Sequence, residues 1–423
     1  MKILDVTEFY SERGGGVRSH LALKSHVLCQ LGHEHVVVAP GPPGRPDGAV
    51  EANPESGRLA RAEAKARVIR VEGPASPYDP TYHLLLRFDK IAAIVERERP
   101  DVLEVHSPYL AALGAMRASP AHYGVRTFQW HSDFIDTYGG VLEAHLERKA
   151  SPLLSSLGGL VRPAVRPAWA LVRAIASRCD ATLVAAEWQV AKLVSHGVPR
   201  VVRVPFGIER ETFRAEARSV EARRELLTLA GDDAGDEHTP ILIGIGRFAI
   251  EKRWDVVIDA FLRLRDRHPR HGRAVLVLVG DGPEKERMKA RVAGRSDVVF
   301  AGFVKDRAAL ARTLASADAL VHGCPFETFG LSIAEAMSCG LPAVVPDEGG
   351  AAEMHVDGSG ERYRALDVDA CVEAIARLLD RVRRDPELVR RATTQAVARL
   401  PNVREQFESQ VTLYRDLLGS RAP

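Results

Sequence analysis

The feature that most constrains this chain is an alternation of short apolar runs with amphipathic stretches, carried through twice along its length. Uninterrupted runs of Val, Ile and Leu suit strands buried on both faces, and the amphipathic stretches between them suit crossover helices. The pattern therefore predicts parallel sheets built from βα units. In the first series residues 2–9 read as a strand, Gly14-Gly15-Gly16 as a glycine loop, and 17–31 as a helix stopped by Gly32. Strands are then expected at 35–39, 68–71, 102–106, 125–130 and 181–185, with the Pro-, Gly- and Ala-rich stretch 42–66 as a surface excursion. The run 201–207 closes the series, with Pro205 and Gly207 as hinge residues, and the polar stretch 231–238 reads as a loop. The pattern restarts at 241–245 and continues through 274–279, 298–300, 319–321 and 342–345. At 423 residues the chain exceeds one ordinary core. The expectation is α/β: two doubly wound domains, 1–204 and 205–400, facing a central cleft, and a C-terminal helix in 401–423 packing back on the first.

Composition narrows the class without naming an activity. Apolar residues make up 46% and charged residues 27%, with a formal net charge of +2, so no nucleic-acid partner is expected. No apolar run approaches the roughly 18 residues of a membrane span. The chain opens on Ile3-Leu4-Asp5-Val6 with no signal-peptide pattern before it. Its five cysteines, Cys29, Cys179, Cys324, Cys339 and Cys371, are scattered without metal-site spacing and read as free thiols in a cytoplasmic protein.

In doubly wound sheets ligands bind beyond the carboxyl ends of the strands, so chemistry is expected in the loops there. Four such loops in the second half carry unusual residues. Gly244-Ile245-Gly246-Arg247 leads to Glu251-Lys252, where Arg247 can fork onto a diphosphate and Lys252 can serve as a point charge. An ordinary solvated loop explains these two residues as well, and the Gly-x-Gly lacks the third glycine of a dinucleotide fingerprint. Val279-Gly280-Asp281-Gly282-Pro283 reads as a strand end and tight turn, and Ala301-Gly302-Phe303-Val304 as a strand end whose backbone can face a base.

The fourth loop runs from Pro325 to Glu335 and enters a helix expected between about Gly330 and Gly340. A helix N-terminus presents N–H groups suited to phosphate, and Gly330 permits close approach. Glu335 lies roughly 7 Å along the axis at about 1.5 Å per residue. Carboxylates so placed can hold hydroxyls on either side of a diphosphate, sugar at Glu327 and ribose at Glu335. Taken singly, Glu327 is a charge favoured by the helix dipole and Glu335 an exposed helical residue. Together, flanking Phe329-Gly330-Leu331, they argue for a ligand.

On these residues the chain resembles the large family of retaining GT-B glycosyltransferases that carry a Glu-x7-Glu motif, the glycosyltransferase family 4-like or glycosyl transferases group 1 proteins. The resemblance covers nearly the whole length. Its pieces are Gly14-Gly15-Gly16, His131-Ser132-Asp133, Arg247 with Lys252, Gly280-Asp281-Gly282-Pro283, Glu327 with Glu335, and Gly349-Gly350 with Glu353. It implies two Rossmann-like domains and transfer of a hexose from a UDP- or GDP-linked sugar to a hydroxyl acceptor, a glycolipid or cell-envelope glycan precursor. It implies no metal and no other cofactor, the nucleotide sugar being a substrate.

Site roles follow from the same resemblance. Arg247 and Lys252 neutralise the diphosphate, Glu327 holds sugar hydroxyls, and His131 contacts the donor sugar; these four form the expected catalytic set. Backbone N–H groups of Phe329, Gly330 and Leu331 cradle sugar and phosphate, Glu335 binds ribose, and Gly15 and Gly16 approach the phosphate. Gly246, Phe303 and Val304 complete the expected donor-binding set. One departure stands out: the family usually follows its Glu-Lys with glycine, whereas Arg253 and Trp254 stand here, which puts the local loop shape in question.

Two metal-like motifs have plainer readings. Asp367-Val368-Asp369 spells the Asp-x-Asp of metal-dependent glycosyltransferases, but helix capping and the dipole explain both aspartates. His33-Glu34-His35 lacks the one-turn ligand spacing of a zinc helix. The stretch 151–178 interleaves Leu153, Leu154, Leu157, Leu160, Val161 and Trp169 with Arg162, Arg166, Arg173 and Arg178. It reads either as a peripheral contact with anionic lipid on the inner face of the cytoplasmic membrane or as core interrupted by Pro152, Pro163 and Pro167. Beside a transferase stand an epimerase or phosphorylase on the same fold and a non-catalytic nucleotide-sugar-binding subunit. An epimerase lacks the paired glutamates, a phosphorylase needs a pyridoxal lysine and more length, and a binding subunit is expected to lose Lys252, Glu327 or His131.

Overall fold

A computed structural model of the chain describes residues 1–10, 16–44, 49–52, 65–77, 79–106, 108–133, 135, 137, 139, 166–231 and 238–421. The chain divides into two compact units, Met1–Pro205 with Val403–Pro423, and Phe206–Asn402.

The first unit has eight strands: β1 (Lys2–Val6), β2 (Glu34–Gly41), β3 (Ala49–Ala52), β4 (Ala66–Glu72), β5 (Val102–His106), β6 (Val125–Gln129), β7 (Ala181–Val184) and β8 (Val201–Arg203). They lie in the order β3-β4-β2-β1-β5-β6-β7-β8, and only β3 runs antiparallel to its neighbour. Helices α1 (Gly16–Gln30), α2 (Phe88–Glu98), α3 (Leu110–Ala115), α4 (Arg166–Ala176) and α5 (Glu187–Ser195) fall between them. β1 ends at Val6 rather than at 9, because the Thr7 hydroxyl accepts the Phe9 N–H at 3.0 Å and turns the backbone away from the ladder. β8 stops at Arg203, two residues before Pro205, which has no N–H for a neighbour. β3 corrects the reading of 42–66 as excursion alone: a four-residue edge strand there pairs with β4.

The second unit has six parallel strands: β9 (Ile241–Ile245), β10 (Val275–Val279), β11 (Val298–Gly302), β12 (Ala319–Val321), β13 (Ala343–Pro346) and β14 (Gly360–Tyr363), in the order β11-β10-β9-β12-β13-β14. The sequence pattern does not announce β14, since only Gly360 and Tyr363 of its four residues are buried. Around this sheet run α6 (Val220–Leu229), α7 (Trp254–Arg267), α8 (Lys285–Arg291), α9 (Arg307–Ala315), α10 (Leu331–Ser338), α11 (Gly349–Met354), α12 (Val368–Arg384) and α13 (Pro386–Val397). The last helix, α14 (Val403–Arg421), belongs to the first unit and packs on α1 through Val27, Val403 and Phe407.

Each sheet encloses its own core. Strands β1, β5 and β9 are buried almost throughout, as apolar runs covered on both faces must be. Asp367 caps α12, its carboxylate accepting the Ala370 N–H at 3.0 Å, and Asp369 pairs with Arg263 and Arg267. The capping reading of that motif is what the fold displays. Among the described residues no helix is long and apolar enough to cross a membrane.

Candidate active site

Strand order reverses once in each sheet, between β1 and β5 in the first unit and between β9 and β12 in the second. Loops leaving the two strands at such a point part to opposite faces and leave a crevice. In the second unit those loops are 246–253 and 322–330. They bring together Lys252 and Glu327, 75 residues apart in sequence, with Lys252 Nζ donating to Glu327 Oε2 at 2.6 Å. His322 adds its Nε2 at 3.4 Å from the same oxygen. The two charged side chains are 22% and 15% exposed, shielded from bulk water yet reachable. Burial by itself raises the Glu327 carboxyl, but the Lys252 ammonium and His322 outweigh it and hold the group well below the usual carboxylate range. Burial likewise opposes the Lys252 charge, and Glu327 more than restores it. Nearby Cys324 is inert, its thiol pushed up to about 12 by burial.

The local chain explains how Lys252 is aimed. It ends a short 3-10 turn, Ile250–Lys252, and Arg253 follows in the left-handed region at φ 49°, ψ 45°. Glycine takes that shape without strain. Here an arginine takes it, and Asp255 grips the guanidinium through two bonds of 3.1 Å. The departure at Arg253 therefore leaves the turn intact. Trp254 stacks on Phe248 with centroids 4.7 Å apart and donates Nε1 to the Arg247 carbonyl at 2.9 Å. Gly244 makes room, since a Cβ there would lie 2.6 Å from the indole. Arg247 itself is 36% exposed and pairs with Glu251 at 3.0 Å.

Glu327 is aimed by a glycine pair. The Gly350 N–H donates to the Glu327 carbonyl at 2.7 Å. A Cβ on Gly349 would lie 2.6 Å from the Pro325 oxygen, and one on Gly350 2.7 Å from the Thr328 carbonyl carbon. Gly330 stands at φ 88° as the cap of α10, Leu331 opens that helix, and Phe329 is buried edge-on to Phe206 at 5.3 Å. Glu335 is buried rather than exposed, and Arg307 Nη2 donates to its Oε1 at 2.7 Å while also pairing with Glu209. Burial wins over Arg307 and raises the Glu335 carboxyl.

The Gly280–Pro283 turn is a buttress. A Cβ on Gly280 would fall 1.9 Å from the Gly246 oxygen, so only glycine lets β10 end against the Arg247 loop. The Gly246 N–H is committed to the Val279 oxygen at 3.0 Å, so Gly246 shapes the loop and does not offer that donor to a ligand. Phe303 is 53% exposed just past β11, with Val304 half-buried beside it.

In the first unit His131 follows β6 on a turn fixed at both ends. The Trp130 N–H donates to the Leu183 oxygen at 2.9 Å, and buried Asp133 is ion-paired with Lys192. His131 Nε2 lies 2.6 Å from His106 Nδ1, and the two rings lie side by side with centroids 4.8 Å apart and their planes at 11°. Behind them is a buried charge network that sequence reading missed. Register sets Asp5 beside Glu104 and Glu104 beside Thr127 on one face of the sheet. Lys24, fully buried in α1, donates to Asp5 at 2.9 Å and to Glu104 at 2.7 Å. Glu104 also accepts from Thr127 at 2.9 Å, Gln410 at 3.2 Å and Tyr414 at 2.6 Å, the last two from α14. His35 meets Asp5 at 2.7 Å and Ser25 at 2.7 Å.

A signal was present: Asp5 and Glu104 are charges inside otherwise apolar strand runs, a placement that demands a buried partner. His322 could have been found as the residue just past β12; nothing local marks Arg307. Gly16 opens α1, whereas Gly14 and Gly15 lie outside the described residues, as does 151–165 of the proposed lipid-facing stretch. Within the rest of that stretch Trp169 is core, stacked on Trp130 at 5.8 Å and on His196 at 3.8 Å. Of the two readings of that stretch, Trp169 follows the core one.

Two doubly wound sheets, with a lysine–glutamate pair and a helix start at the switch point of the second, define a GT-B glycosyltransferase acting on a nucleotide sugar. Residues 14–212 match the model described as Glycosyltransferase Family 4, and 239–381 that described as Glycosyl transferases group 1. The chain is 30% identical over 355 residues to a GDP-mannose-dependent alpha-mannosyltransferase of Mycolicibacterium smegmatis, covering 83% of this chain and 80% of that one. It is 28% identical over 393 residues to the GDP-mannose-dependent alpha-(1-6)-phosphatidylinositol dimannoside mannosyltransferase of Mycobacterium tuberculosis, covering 92% and 90%. In fold it is similar to sucrose-phosphate synthase from Thermosynechococcus elongatus, with a TM-score of 0.73 and 20% identity over 99% of both chains. The chain belongs to glycosyltransferase family 4.

Proposed function

We propose that this protein transfers mannose from GDP-mannose to a hydroxyl of a lipid-linked, phosphatidylinositol mannoside-like acceptor, with retention and without a metal ion, as a peripheral protein at the cytoplasmic face of a membrane. The donor and acceptor follow the relatives, whose names specify GDP-mannose and, in one, a phosphatidylinositol dimannoside. The observation that carries the chemistry is the Lys252–Glu327 pair at the switch point beside the start of α10.

The hard event is departure of GDP as the sugar gains oxocarbenium character. Lys252 and Arg247 supply positive charge toward the departing diphosphate, joined by N–H groups at the start of α10. Glu327, kept ionised by Lys252, accepts sugar hydroxyls, and Glu335 holds ribose. His131 contacts the donor sugar. The bond from C1 to the diphosphate oxygen breaks while the acceptor oxygen bonds to C1 on the same face, and the acceptor's proton passes to the leaving diphosphate. His322, Cys324 and Glu327 are grouped closely enough to ligate a metal, but the Lys252 ammonium already sits on Glu327. That supports a cation supplied by the chain itself.

The test offers purified protein GDP-mannose, UDP-glucose and other nucleotide sugars with a lipid extract, with and without EDTA. Mannose should enter the lipid fraction from GDP-mannose, with EDTA making no difference. Failure to bind or turn over any nucleotide sugar sinks the reading. Strict dependence on a divalent ion removes its metal-free part.

A further inference from the structure

Glu335 stands in the second turn of α10, and its carboxylate is gripped by a residue that no motif marks. Arg307 is the first residue of α9, set there by the Asp306 cap, whose carboxylate accepts the Ala308 N–H at 2.9 Å. Its Nη2 donates to Glu335 Oε1 at 2.7 Å, and its Nε pairs with Glu209. The Phe213 N–H donates to the Glu209 carbonyl at 2.8 Å, closing one helical turn that sets both side chains on the same face. The Phe213 ring accordingly lies against the guanidinium, with Cζ 4.8 Å from its centroid. All four residues belong to the second unit.

A planar guanidinium held by a carboxylate at each of two nitrogens, and by a ring along one face, has a fixed plane. It fixes the Glu335 carboxylate in turn. Oε1 is taken by Arg307, while Oε2 makes no hydrogen bond among the described residues, and the side chain keeps 8% of its surface exposed. Burial raises this carboxyl, and the guanidinium, charged at any physiological pH, is the cation that opposes it. We propose that Arg307 is a positioning residue that turns Glu335 Oε2 toward the ribose hydroxyls of the donor and so makes the enzyme select sugars carried on ribonucleotides over those carried on deoxyribonucleotides. The inference rests on the reading that Glu335 holds ribose. Glu209 and Phe213 act one step further back. They keep the guanidinium from swinging into water, to which 34% of the Arg307 side chain is exposed. Lysine is no substitute, because a single ammonium lacks the fork that spans two carboxylates.

The experiment gives the full-length protein GDP-mannose or its dideoxyribose analogue, with lipid extract as acceptor, and compares kcat/KM. Wild type should favour the ribose donor by about 10- to 100-fold, as hydrogen bonds to a charged group do. Glu335→Ala should abolish that preference. Arg307→Met keeps the apolar stem and removes the fork. It should cut the preference by at least about 5-fold, through the donor KM, with kcat for the ribose donor within about 3-fold of wild type. Added to Glu335→Ala, it should take away nothing more, since Arg307 acts through that carboxylate. A folded Arg307→Met protein with the wild-type preference overturns the proposal and leaves Glu335 on the ribose. Losses that multiply in the double variant overturn it equally. No preference in wild type, or an unchanged preference in Glu335→Ala, removes the ribose reading itself and the proposal with it. If Arg307→Met does not fold, combining it with Glu209→Gln removes the second stranded carboxylate and permits the same comparison.

Discussion

Replacing Lys24 by methionine is the sharpest test of the buried network. Methionine matches the lysine stem and removes only the charge. Asp5 and Glu104 have side chains at 0% exposure and touch the ammonium at 2.9 and 2.7 Å, so the variant strands two adjacent carboxylates in the core. Breaking one buried pair costs about 3–5 kcal/mol. A second route gives the same size: if one carboxyl escapes by taking a proton, doing so at pH 7 from an ordinary value of about 3.9 costs about 1.4 kcal/mol per unit, or about 4 kcal/mol.

The pH dependence separates this from simple loss of packing. In the wild type, the Lys24 ammonium and His35 hold the Asp5 carboxyl well below its ordinary value against the opposing effect of burial. Its stabilisation is present above the unfolded value and lost as pH falls through the folded one. In the variant the folded state binds a proton that the unfolded chain does not, so its deficit should shrink as pH falls, from about 4 kcal/mol at pH 7 to about 1.5 at pH 5. Urea unfolding followed by tryptophan emission reads this well, because Trp130, Trp169 and Trp188 lie in the first unit and only Trp254 in the second. A deficit under about 1 kcal/mol at pH 7, or one that acid leaves unchanged, refutes the reasoning.

Other outcomes follow from single contacts. Lys252→Ala should lower kcat by about 10²- to 10³-fold, as loss of one charge-stabilising donor does, with an unchanged circular dichroism spectrum; wild-type turnover would remove Lys252 from the mechanism. Gly350→Ala places a Cβ 2.7 Å from the Thr328 carbonyl carbon and must shift the Glu327 loop; steady-state kinetics should show kcat/KM down by at least about 10-fold, each tenfold being about 1.4 kcal/mol. Arg253→Gly relieves a left-handed arginine worth about 1–2 kcal/mol and gives up its grip on Asp255. Thermal unfolding should find it no less stable than wild type, with activity retained.

How much was legible in advance varied with the range of the interaction. Strands β5, β9 and β12 stand at the residues their apolar runs predict, and α10 within two residues of its expected ends. Strand β3 and strand β14 were missed because a run of four residues is too short to leave a periodic mark. The donor loops were readable as strand-end motifs. That Lys252 and Glu327 form one ion pair was not, since it depends on β9 and β12 lying side by side.

By itself the sequence determined the two α/β series, the strand-end loops and the glycines that let backbones meet, because periodicity, capping and turn preference act between residues a few positions apart. Only the tertiary structure decided the company each charge keeps. Lys24 and Tyr414 are 390 residues apart, yet both serve Glu104, and Arg307 ties Glu335 to Glu209. Such pairings follow from strand register and from the return of the last helix, and a buried charge names its need for a partner without naming the partner.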